Sequence, residues 1–204
     1  MVLVTSLHTG SFYLTFIWMP IFMEDLIDPP QKQAFLITTL VILLSLILFK
    51  PIPGMLSDKY GTRKKVMTPG AIGIAILGPL TIYVASTRNT AATFFVHLLL
   101  GMSLAFYAAP LPAWLLESFP DHRTRLTCVS VGYNLATSTI GGFSPLIATL
   151  MCDNIGLLSP GILYVIYAII SMFGLHCVAA KINSNTGDDR ILSSQSNAQL
   201  SALL

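Results

Sequence analysis

Gly54-Met55-Leu56-Ser57-Asp58-Lys59-Tyr60-Gly61-Thr62-Arg63-Lys64-Lys65 separates two apolar runs, each long enough to cross a bilayer. The segment holds one acid and four bases. Lys59, Arg63, Lys64 and Lys65 are costly to carry through lipid, so they mark the cytoplasmic side. Gly54 and Gly61 are expected to permit a tight turn between two helices, and Asp58 is placed to cap a helix end or pair with a base.

The rest of the chain has the same character. Apolar residues make up 54% of its 204 positions and charged residues 10%, whereas soluble domains are about a quarter charged. A soluble surface of this size needs more charge, so an integral membrane protein is expected. Met1 leads straight into an apolar stretch without a basic leader or a small-residue cleavage pattern, and the first segment is expected to stay as a span. Cys128, Cys152 and Cys177 are widely spaced and read as small packing residues; no metal, cofactor or redox pair is expected. The bases sit in short loops, which excludes a nucleic-acid surface. No intramembrane acid pair and no activated Ser or Cys arrangement is present, so an enzyme is not expected.

Six stretches have the length to span: 2–23, 34–55, 66–85, 91–116, 127–151 and 158–180. None holds a charge deep inside. Lys50 comes nearest, where its stem can snorkel to the interface. Arg123 and Arg125, and the tail with Lys181 and Arg190, fall on the side of the Asp58 segment. The other side holds Lys32 and Arg88 with Glu24, Asp25, Asp28 and Asp153. This asymmetry fits six crossings with both termini cytoplasmic. Residues 1–180 therefore form the membrane unit, and 181–204 read as a disordered polar cytoplasmic tail. Pro20, Pro51, Pro53, Pro79, Pro110, Pro112 and Pro145 interrupt the spans, as kinks or as the ordinary proline content of membrane helices. Gly70, Gly73, Ala75, Gly78, Gly132, Gly141 and Gly142 are expected to bring helices close.

The Asp58 segment resembles the loop motif of the major facilitator superfamily, with Thr62 where a base is usual. A second constellation narrows the likeness. Glu117-Ser118-Phe119-Pro120, then Gly132-Tyr133-Asn134-Leu135, then Gly141-Gly142-Phe143-Ser144-Pro145-Leu146-Ile147-Ala148-Thr149 resemble the metabolite:proton symporters of that superfamily, which include proline/betaine, 2-oxoglutarate, citrate and shikimate transporters. Met19-Pro20 and Ser159-Pro160 also fit. The resemblance covers most of residues 10–180 and implies an all-α membrane protein. Its six transmembrane helices would be equivalent to the C-terminal half of a twelve-helix major facilitator fold. It implies alternating-access transport of a small organic acid or zwitterion, coupled to protons, at the plasma membrane. The partners would be the lipid bilayer, the solute, protons and a second six-helix half. A non-transporting scaffold or regulatory protein derived from a transporter half is the alternative.

Site residues follow from chemistry and from that likeness. His8, His97 and His176 are the titratable side chains within the spans, suited to proton coupling or to bonding a nearby carbonyl. His8 and His97 are the stronger candidates because their spans face the cavity in the superfamily, and the coupling acid itself is expected in the other half. Tyr13, Trp18, Tyr107, Tyr133 and Asn134 are candidate cavity residues, with an interhelical bond as the alternative for Asn134 and interface anchoring or packing for the aromatics. Gly54, Asp58, Lys59, Gly61, Arg63, Glu117, Arg123 and Arg125 form a cytoplasmic motif that the likeness implies latches the halves.

Overall fold

The computed structural model describes residues 1–28, 30–31, 33–118 and 124–177. Among them the chain is helical without strands, and five helices are long and apolar enough to cross a membrane. These are α1 (Val2–Leu26), α2 (Ala34–Tyr60), α3 (Arg63–Ser86), α4 (Thr90–Glu117) and α5 (Arg125–Asn154). A shorter apolar helix, α6 (Gly161–Cys177), ends where the description ends. Residues 158–160, expected to open the sixth span, form a turn instead. There Ser159 donates its hydroxyl to the carbonyls of Met151 and Gly156.

In lipid, apolar side chains gain little by leaving their surroundings, so close contact and interhelical hydrogen bonds hold helices together. The small residues supply the contact. A Cβ on Gly70 would stand 2.7 Å from the backbone nitrogen of Tyr107, so α3 and α4 touch backbone to backbone. Gly101 of α4 receives Ser45 and Val41 of α2, and Gly10 of α1 receives the Tyr167 ring of α6. The hydroxyls supply the bonds. Tyr107 donates to the Val4 carbonyl at 2.7 Å and also meets Ser171, which donates to the same carbonyl at 3.1 Å. Thr15 pairs with the Tyr164 hydroxyl at 3.2 Å, and Ser144 with that of Tyr167 at 2.8 Å. Such a bond contributes about 0.6 kcal/mol on average in a membrane protein.

α1 is the hub of these contacts, with 67% of its apolar window buried; for α2 and α5 the share is 22%. The uncovered faces of the bundle therefore concentrate on α2 and α5.

Two further expectations, on the Gly54–Lys65 segment and on the cysteines, need correction. The Gly54–Lys65 segment is not a loop: α2 stays helical to Tyr60, and α3 resumes at Arg63. Pro51 and Pro53 stand in the first turn of the last helical segment of α2, where a missing N–H is tolerated. Gly54 lies within that segment near Ala109, and the reversal falls on Gly61, at φ 61° in the left-handed region, and on the extended Thr62. Three of the prolines follow a local widening of the helix. The carbonyl four residues before Pro20, Pro51 and Pro145 lies in a widened π-helical segment each time: Tyr13–Trp18, Leu43–Phe49 and Thr137–Gly141. Widening the turn relieves the clash of the ring with that carbonyl. Finally, Cys128 and Cys177 are exposed, and of the three cysteines only Cys152 is half-buried.

Candidate functional site

A cavity of about 360 Å³ opens between α1, α2, α4 and α5. Its polar lining is His8 from α1, Lys50 from α2, and Ser130, Tyr133 and Asn134 from α5. Ala108, Leu111, Pro112 and Leu115 of α4 give an apolar wall. The widened turn of α2 ends at Phe49, next to Lys50, and the tilted His8 and Tyr133 rings stand with centroids 6.2 Å apart. His8 Nδ1 is buried without a hydrogen-bond partner, and Lys50 lies within electrostatic range of that ring. Asn134 is exposed along the bundle, where a lipid-facing amide would be left unpaired.

Of the sequence candidates, His8, Tyr133 and Asn134 meet in this cavity. Tyr13 stays outside the lining, packed beneath Gly141 and within electrostatic range of Tyr133. The others are engaged elsewhere. Trp18 donates to Thr149 at 3.0 Å, Tyr107 is the buried clasp between α1 and α6, and His97 Nε2 stands 3.0 Å from the Thr15 carbonyl. His176 is not deep in a span as expected: it is exposed, with Nδ1 3.2 Å from Lys64 Nζ at the basic end. Reading outward from hydropathy missed two features. Lys50 passed for a snorkelling base, although its one signal was a cation beside an apolar run. Ser130 carried no signal beyond being polar.

The motif residues gather at one end of the bundle. Arg63 at the start of α3 pairs with Asp58 of α2, and its Nε and Nη2 reach Glu117 of α4 at 3.1 and 3.0 Å. A further contact joins Arg63 to Ser57 at 3.3 Å. One planar guanidinium thus ties three helix ends. Lys59 and Gly61 flank it in an exposed position, and Arg125 opens α5. Arg123 lies outside the described residues. Asp58 and Glu117 are largely exposed, so water screens both pairs and the stabilisation is about 1 kcal/mol. Geometry matters more than energy, because an ammonium cannot hold two carboxylates in a planar fork. Arg63→Lys and Arg63→Ala are therefore both expected to speed amide exchange across residues 55–66 by about fivefold. Exchange-rate mass spectrometry reads this, and a Lys variant exchanging like the parent would contradict the fork.

The family model described as the Major Facilitator Superfamily matches residues 1–197. Among curated proteins, the chain is 27% identical over 154 residues to a citrate-proton symporter of Klebsiella pneumoniae, covering 76% of this chain and 34% of that protein. It is 29% identical over 159 residues to a citrate-proton symporter of Salmonella typhi, covering 76% and 35%. An ectoine/proline transporter of Corynebacterium glutamicum is 26% identical over 166 residues, covering 81% and 32%. The chain spans about a third of the length of the curated relatives it matches.

Proposed function

Because this chain belongs to the major facilitator superfamily, as an integral membrane protein of the transporter class, we propose that residues 1–180 act as one six-helix half of a proton-coupled carrier for a small organic acid or zwitterion. The observation that carries this reading is the cavity itself. It brings His8, Tyr133 and Asn134 together beside α2 and α5, the two helices the bundle leaves most uncovered. A second six-helix half set against α2 and α5 closes the cavity, and rocking of the two bodies about it alternates access. The basic end with Arg63 faces the cytoplasm of a plasma-membrane protein, with both termini on that side; residues 181–204, expected as a polar cytoplasmic tail, lie outside the described residues. The Asp58–Arg63–Glu117 cluster holds its three helix ends together in one of the two states. His8 is the ring we assign to proton exchange with the cavity, since it lines that cavity while His97 lies outside the lining with Nε2 at the Thr15 carbonyl.

The test is solute binding by the full chain in lipid nanodiscs, with radiolabelled citrate and radiolabelled proline as probes. Asn134→Ala is expected to weaken binding of the better probe roughly tenfold, the loss of one well-placed hydrogen bond to a charged group. Unchanged affinity would remove Asn134 and this cavity from the reading.

A further inference from the structure

Lys50 stands half-buried in the cavity wall. Among the described residues it has no ion-pair partner. Among the described residues, no Asp or Glu lines the cavity. Across from it are a histidine ring with an unpartnered buried nitrogen, a tyrosine and an amide. A cation without a counter-charge is costly at this depth, whereas a ligand that brings the negative charge offsets the cost. The wall from α4 is apolar, which strengthens any charge pair formed against it. A merely snorkelling lysine has a different environment: it runs along the outside of a helix toward the headgroups.

We infer that Lys50 is the anion anchor of the cavity, its ammonium binding a carboxylate of the solute while Asn134 and Tyr133 hydrogen-bond the remainder. This rests on the cavity being the solute site. The same charge chemistry could be met by the phosphate of an anionic lipid headgroup, so the experiment separates the two sources.

Citrate binding is measured with the full chain in nanodiscs of phosphatidylcholine alone and of phosphatidylcholine with phosphatidylglycerol. Lys50→Gln is expected to weaken citrate binding about tenfold or more in both lipids, and Lys50→Arg to stay within about threefold of the parent. Size-exclusion profile and melting temperature establish that the variants fold. Parent-like citrate affinity in Lys50→Gln overturns the anchor while leaving the cavity reading intact. So does a loss seen only in discs with phosphatidylglycerol, which assigns Lys50 to lipid. A parent chain that binds neither citrate nor proline overturns both readings together.

Discussion

Gly70→Val is expected to abolish the fold. The contact it disrupts is made of main chain on the opposing side, which cannot rotate out of the way. A Cβ at Gly70 would come within 2.7 Å of Tyr107 N, 2.9 Å of Ser103 O and 3.1 Å of Phe106 C. Relief requires α3 to move away from α4, which would open the packing at Gly73 and Ser103 one turn along. Even alanine should cost about 2–3 kcal/mol, and the branched valine more than a marginally stable bundle can absorb. The expected readout is loss of the monodisperse detergent-solubilised species. Gly54→Ala is the internal comparison. Its nearest neighbour would be Ala109 Cβ at 4.0 Å, so replacing a helical glycine there should be neutral or stabilising by about 0.5–1 kcal/mol. Equal behaviour of the two variants would contradict the account of close approach.

Tyr164→Ala carries the second large effect. The ring is fully buried, lies over Gly78 of α3, and joins Thr15 of α1 through its hydroxyl at 3.2 Å. Removing it leaves a void at the junction of three helices that a glycine on the opposite side cannot fill. A loss of about 3–5 kcal/mol follows from the cost of large-to-small changes in packed interiors. Melting temperature should fall by about 10 °C or more for a chain of this size. Tyr164→Phe keeps the ring and loses one interhelical bond, about 0.6 kcal/mol. The expected order is a steep drop for alanine and a shift near the limit of measurement for phenylalanine. If the phenylalanine variant melts as low as alanine, the bond to Thr15 rather than the ring secures α6.

Hydropathy made the spans legible, because backbone in lipid has few alternatives to a helix over about 20 apolar residues. It gave their ends less well: α2 and α5 continue past the apolar stretch into charged turns that the interface tolerates. Three of the cavity residues could be read in advance for a physical reason. A histidine, a tyrosine and an amide inside an apolar run each need a partner, and His8, Tyr133 and Asn134 all line the cavity. The same reasoning reached Trp18 and Tyr107 but could not separate them. Their partners, Thr149 and the Val4 carbonyl, lie 131 and 103 positions away along the chain. The Arg63 cluster was half legible. Its pairing with Asp58 is local, whereas Glu117 arrives through the return of α4. Lys50 was placed by depth alone, because a hydropathy profile carries no information about direction around the helix axis.

Direction is what the widened turns control. A turn that takes in one extra residue rotates everything beyond it by about 100° relative to a regular helix. In α2, Thr38 and Val41 face inward before such a turn, and Lys50 follows it. The azimuth at which Lys50 meets the cavity is therefore set by how many residues occupy 43–49 and not by the identity of any one of them. Shortening that stretch by a single position would turn the ammonium away from the cavity while Thr38 and Val41 kept their places. In this helix, the arithmetic of chain length decides which way the cation faces.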